Sequence, residues 1–214
     1  NYTPNWLVDL NVNFMLKGLL YFFIVFSMTA IINFANFMDG LDGFLTSTML
    51  VIFLFISLQF LPSYYPLCGS LVGFIIWNWQ PAKIFMGDVG STFLGSIFAG
   101  ALLEVNSVEV PINILLCASP ILIDPLICVI RRFSIGQNIF LAHKLHLYQR
   151  LHQAGWSHSK VSLTYSIAIF IICMASQLYS LSIQSFIAFI IFCIGIMVSK
   201  FFASPFKEQN TNIY

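Results

Sequence analysis

The chain has 214 residues, with nine Lys/Arg, eight Asp/Glu and a net charge of +1, so that charged residues make up 8 % and apolar residues 59 %. An ordinary soluble domain carries about 25 % charge, and with 23 Phe this chain has too little polar surface to face water; its solvent is lipid. The composition excludes a soluble enzyme, a disordered chain and a nucleic-acid binder with a basic face.

A membrane-crossing helix needs roughly 20 mostly apolar residues. In chain order the predicted spans are 14–35, 44–61, a short one at 66–79, 91–105, 111–130, 161–180 and 183–203. The expected fold is an all-α integral membrane protein of about seven helices. Residues 1–13 form a segment on one side, 14–203 the membrane domain, and 204–214 a tail. Cys68, Cys117, Cys128, Cys173 and Cys193 are widely spaced inside apolar runs, with no CxxC and no Cys/His ligand spacing. They read as small hydrophobes, not as disulfides or a zinc site.

Basic residues set orientation. Lys83, Arg131, Arg132, Lys144, Arg150, Lys160, Lys200 and Lys207 fall in or beside the loops 36–43, 80–90 and 131–160 and the tail, and Lys17 is the exception. Those loops are therefore expected in the cytoplasm. Asp39, Asp42, Asp88 and all four His share that side, whereas Asp9, Glu104 and Glu109 fall opposite. An active surface at the inner membrane face follows.

Three segments carry chemistry. The first is Asn33-Phe-Ala-Asn36-Phe-Met-Asp39-Gly40-Leu-Asp42-Gly43, with polar residues every third position at the end of a span. Two carboxylates and two amides suit a hard, oxygen-liganded cation or a nucleotide's sugar and base. The plain structural alternative is a helix end followed by Asp42 capping the next span. The second is Pro81-Ala-Lys83-Ile-Phe85-Met-Gly87-Asp88-Val-Gly90-Ser91-Thr92. At a helix start it offers free backbone N–H groups and a dipole facing anions. Asp88 is placed to hold Mg²⁺, with Lys83 and the N–H groups neutralising phosphate oxygens.

The third segment joins Arg131 and Arg132 to His143-Lys-Leu-His146-Leu-Tyr148-Gln149-Arg150-Leu-His152. Arginine forks match phosphate geometry, although two arginines ending a span also anchor it. His143 and His146 stand three apart, compatible with a metal site. No third nitrogen or sulfur ligand accompanies them in sequence, so a diphosphate-binding role is the expectation. His152 and His158 read as ordinary loop residues. Asp124 lies inside the fifth span, where a carboxylate is costly and defaults to a functional role. It shares a helical face with Arg131, for pairing or for a common ligand, and Pro125 beside it is expected to open the helix.

NxxNxxDGxDG (Asn33, Asn36, Asp39, Asp42), FxGDxGS (Phe85, Gly87, Asp88, Gly90, Ser91) and a basic His-containing loop, in this order over about 30–160, resemble the polyprenyl-phosphate N-acetylhexosamine-1-phosphate transferase family, glycosyl transferase family 4. That superfamily includes the translocase making the first lipid intermediate of peptidoglycan. The loop is similar to the subgroup that begins O-antigen synthesis, often with a fucosamine- or quinovosamine-type sugar; Gly155-Trp156-Ser157-His158 fits it too. Many members instead carry clustered His, where this chain has Tyr148 and Gln149.

The resemblance implies transfer of an N-acetyl sugar-1-phosphate from a UDP-N-acetyl sugar to undecaprenyl phosphate, giving UMP, at the bacterial inner membrane. Implied catalytic residues are Asp39, Asp42, Asp88 and His146, with Asp88, Asp39 and Asp42 holding Mg²⁺ (or Mn²⁺). Asn33, Asn36, Lys83, Gly87, Ser91, Asp124, Arg131, Arg132 and His143 are the implied substrate contacts. Membrane lipid is the remaining partner, nucleic acid is not one, and a homodimer is an allowed assembly. Two departures stand out: members have about ten spans, and an adjacent Asp-Asp pair on an earlier loop is missing here. An N-terminally truncated chain, weak or inactive alone, is therefore expected. A membrane transporter and an inactive fragment are the rival readings.

Overall fold

In the computed structural model, residues 13–105, 107–139 and 141–206 are described. The expected segment before Asn13, with Asp9, and the tail from Lys207 lie outside them. Asn13 opens the first helix, α1 (Phe14–Phe37), its side chain accepting from Leu16 N–H at 2.9 Å, as an N-cap should. Next come α2 (Phe44–Gln59), a 3₁₀ turn at Pro62–Tyr64, α3 (Tyr65–Asn78), α4 (Gly87–Glu104), α5 (Glu109–Cys117), α6 (Ser119–Ser134), α7 (Leu147–Gln153), α8 (His158–Leu178) and α9 (Leu181–Phe201). The described residues are helical and loop, with no strand.

The chain is an all-α integral membrane protein. Among the described residues, three helices, α1, α8 and α9, are long and apolar enough to cross a bilayer, and α5 with α6 makes a fourth span if the bent pair counts as one. The expected spans at 44–61 and 66–79 are the shorter helices α2 and α3. The expected fourth span begins earlier than 91, at Gly87, which draws Asp88 into its first turn.

The fifth expected span is two helices meeting at 75°. The break falls at Ala118, ahead of Pro120, and not at Pro125, which sits inside α6. A proline in a first turn loses nothing, because that N–H has no helical partner anyway, so Pro120 favours starting a helix there. The expectation of an opening at Pro125 is corrected accordingly.

Lipid and core sort the helices. Along α1, Phe14, Phe22, Phe23 and Phe26 are exposed and only Ile31 and Ala35 are buried, as befits an outer span. The shorter α2 is central, with Phe44, Leu45, Met49, Ile52, Phe53 and Ile56 almost wholly enclosed. Ser166 on α8 hydrogen-bonds Ser47 on α2 at 3.1 Å. Phe44 packs its ring on Tyr148 (4.7 Å) and edge-on to Tyr165 (4.9 Å), knitting α2, α7 and α8. Helix α4 presses on α1 at Gly95, where a Cβ would meet Ala35 Cβ and Ile32 Cα at 3.0 Å. That close approach brings the end of α1 beside the start of α4.

Candidate active site

Because α1 ends where α4 begins, the first two sequence segments meet. Asn36, in the last turn of α1, donates to Asp88 Oδ1 at 3.1 Å and to Ser91 Oγ at 2.9 Å. Asp39 follows in the loop and accepts from the Gly87 N–H. Burial, then the Asp88 charge, pushes the Asp39 carboxyl up to about 7, against the pull of that N–H. Asp39, Asp42, Phe85 and Gly87 line one cleft of about 200 Å³.

Two carboxylates near enough for the Asp88 charge to act on Asp39 form an oxygen-donor set of the kind a hard dication takes. Lys83 does not fill that place: it is exposed, with Nζ 5.2 Å above the Trp77 ring. It remains on the same loop, free to move toward an anion.

Asp42 is held differently. Its Oδ2 accepts from Ala82 N–H at 3.1 Å and lies 3.3 Å from His158 Nδ1. Gly43, not Asp42, is the N-cap of α2. His158 faces His152 Nε2 at 3.3 Å, and His152 Nδ1 lies 2.9 Å from Trp156 O. If Nδ1–H of His152 donates to that carbonyl, its Nε2 accepts from His158, whose Nδ1 then accepts Asp42 N–H at 3.2 Å. The reading of His152 and His158 as ordinary loop residues is thus too plain; no sequence spacing signals a contact across more than a hundred residues. Asn78 was also invisible in sequence. Buried at the end of α3, it accepts from Thr46 (2.6 Å) and Gly43 N–H (3.2 Å) and donates to Ile84 O (2.9 Å), fixing the loop that carries Lys83.

Several expected contacts serve the scaffold. Asn33 turns back to Thr29 O at 2.8 Å. Asp124 accepts from Leu147 N–H (2.7 Å), Tyr148 N–H (3.1 Å) and Tyr165 O–H (2.8 Å), so it holds the first turn of α7 and makes no pair with Arg131. Arg132 is buried and donates to Gln137 Oε1 and to the carbonyls of Asn138, Ile139 and Leu141, which leaves little of its fork for a phosphate. Arg131 is exposed and lies 4.1 Å over the Phe206 ring. It borders a second, mainly aliphatic cavity of about 610 Å³ between α6, α8 and α9.

The third segment reaches the first through Tyr148, whose O–H donates to Phe37 O at 2.8 Å. A Cβ on Gly40 would collide with that hydroxyl, so glycine is required for the approach. His146 is buried, its ring 6.0 Å from that of Phe37 and 4.9 Å from that of His143. Burial, then Arg132, pushes His146 down to about 4, and burial with His146 and Arg132 does the same to His143.

Asn36, Asp39, Gly87, Asp88 and Ser91 therefore form one site, Asp42 shares its cleft, and His146 borders it through Phe37. Residues 4–106 match the family model described as Glycosyl transferase family 4. The chain is 30 % identical to a phospho-N-acetylmuramoyl-pentapeptide-transferase of Clostridium novyi, over 79 % of this chain and 54 % of that protein. It is 31 % identical to the enzyme of that name from Carboxydothermus hydrogenoformans, over 74 % and 51 %. A decaprenyl-phosphate N-acetylglucosaminephosphotransferase of Mycobacterium tuberculosis is 34 % identical over 63 % and 41 %. The chain spans about half the length of the curated relatives it matches. With its paired segments meeting at the Asn36–Asp88 contact, the chain belongs to glycosyl transferase family 4, the polyprenyl-phosphate hexosamine-1-phosphate transferases.

Proposed function

We propose that the protein transfers an N-acetyl sugar-1-phosphate from a UDP-sugar to undecaprenyl phosphate at the cytoplasmic face of the bacterial inner membrane. The observation that carries this reading is the Asn36–Asp88–Asp39 constellation under the Gly87 N–H. An acceptor phosphate oxygen attacks the β-phosphorus, the bridging P–O bond breaks, and UMP leaves with the electron pair. Asp88 and Asp39, with Asp42 in the same cleft, would hold a divalent cation, Mg²⁺ or Mn²⁺, which would supply positive charge against the diphosphate. Asn36 orients Asp88, the Gly87–Ser91 turn offers backbone N–H donors, and Lys83 supplies a mobile cation for phosphate oxygens. The cavity bordered by Arg131 suits an isoprenoid chain with its head at the arginine.

The relatives' names favour an N-acetylated sugar phosphate as the transferred group and, in one of them, a polyprenyl phosphate as the acceptor. The O-antigen subgroup rests on the Tyr148-Gln149 form of the loop and on Gly155-Trp156-Ser157-His158 after it. The test is calorimetric binding of UDP-N-acetyl sugars with Mg²⁺, together with transfer of labelled sugar-phosphate to lipid phosphate in vesicles. Binding is expected for the wild type and absent in Asp88→Asn. Binding that survives Asp88→Asn removes Asp88 from the mechanism, and counterflow without chemical change would replace the reading with transport.

A further inference from the structure

The three described polar residues on the inner face of α6, Asp124, Cys128 and Arg132, recur every four positions and are all buried. That spacing puts them on one stripe. The outer two clamp the following loop from both sides. Asp124 takes the N–H groups of Leu147 and Tyr148, and Arg132 takes the carbonyls of Asn138, Ile139 and Leu141. The middle residue faces what lies between, His143 and His146. A ligand atom from each of Cys128, His143 and His146 lies within 4.8 Å of the other two.

A second observation is independent of that clustering. His146 is 3 % exposed, and its Nδ1 has no hydrogen-bond partner. A buried polar atom without a partner is costly and calls for an explanation. Nδ1 of His143 accepts the Leu145 N–H at 3.3 Å, so coordination by that atom exchanges this hydrogen bond for a metal bond.

We propose that Cys128, His143 and His146 form a binding site for one soft divalent metal ion of the zinc class, distinct from the oxygen-lined cleft at Asp39 and Asp88. Sulfur and imidazole nitrogen select zinc or cobalt over magnesium. Three protein ligands leave a fourth position for water. Tetrahedral zinc places its N and S ligands about 3.3–3.7 Å apart, so the three groups close by roughly 1 Å through side-chain rotation. As the metal–sulfur bond forms, Cys128 gives up its thiol proton to solvent. The thiolate and the Asp124 carboxylate then offset the two charges of the dication, while Arg132 keeps its loop carbonyls. Occupancy fixes His146 where it stacks on Phe37, tying α6 to the end of α1.

The experiment uses the whole chain in detergent, stripped with a chelator and titrated with Co²⁺. With excess Mg²⁺ present to fill the oxygen-lined cleft, one equivalent binds, with a thiolate-to-cobalt charge-transfer band that Zn²⁺ bleaches and further Mg²⁺ does not. Cys128→Ser loses the band, whereas Cys68→Ser and Cys193→Ser keep it. Where Cys128→Ser fails to fold, the half-buried loop residue His143 serves. Zn²⁺ raises the melting temperature of the wild type, and His143→Asn keeps the metal-free melting temperature but loses that rise. Absence of the band, its survival in Cys128→Ser, an equal Zn²⁺ effect on His143→Asn, or displacement of Co²⁺ by Mg²⁺ overturns the proposal.

Discussion

Asn36 and Asp88 stand 52 residues apart in the chain and share a hydrogen bond of 3.1 Å, which makes the amide a positioning group for the carboxylate. Asn36→Ala leaves Asp88 without that anchor and Ser91 without its amide donor. Groups that orient a metal ligand are worth about 10–100-fold in metal affinity or activity. We therefore expect Asn36→Ala to weaken Mn²⁺ binding by about that factor, with little change in melting temperature. Paramagnetic resonance of free Mn²⁺ reads the change, and an unaltered affinity removes Asn36 from the site.

Asp39 makes the metal reading sensitive to pH. Its carboxyl sits at about 7 rather than 3.8, through burial and then the Asp88 charge. A raised value means the folded state keeps a proton that the unfolded chain has released. Its contribution to stability is full below about pH 4 and is lost as pH rises through about 7. Cation binding runs oppositely, since it needs the ionised carboxylate; affinity should fall about tenfold per pH unit below 7. Asp39→Asn flattens both profiles, and it should raise the melting temperature of the metal-free protein at pH 8 while abolishing the rise with Mg²⁺. A cation affinity equal at pH 6 and pH 8 contradicts this.

The clamp on α7 predicts a cost for Asp124→Asn. An amide keeps the shape but accepts through one oxygen only, where the carboxylate takes three donors. Hydrogen bonds to a charged group contribute about 1.5–3 kcal/mol, and a loss of that order is expected by denaturant titration in micelles. Proteolysis should become faster between 137 and 147, and an unchanged cleavage rate would falsify the clamp.

Tyr148→Phe tests the tie between the third segment and the first. It removes the hydrogen bond to Phe37 O at 2.8 Å and keeps the ring stacked on Phe44. The expected loss is about 1 kcal/mol. Hydrogen exchange should rise at Met38–Gly40, the residues the hydroxyl braces, and not in α4.

The sequence alone settled the solvent and the helical class, and it marked three polar segments as candidates for chemistry. A charge content of 8 % leaves no alternative to lipid, and short polar runs in such a chain stand out by contrast. Local signals also place Asp88 at a helix start, because Gly-Asp-x-Gly-Ser carries its own turn chemistry. What packing decided are the partners. Asp124 and Arg131 share a helical face, yet the carboxylate points to backbone N–H groups of α7, since those donors come from a loop that only folding delivers. His158 reaches Asp42, and Cys128 reaches His143 and His146, for the same reason. Sequence spacing reports neighbours along one helix, whereas a site between helices is fixed by how their faces pack, and no residue carries that information by itself.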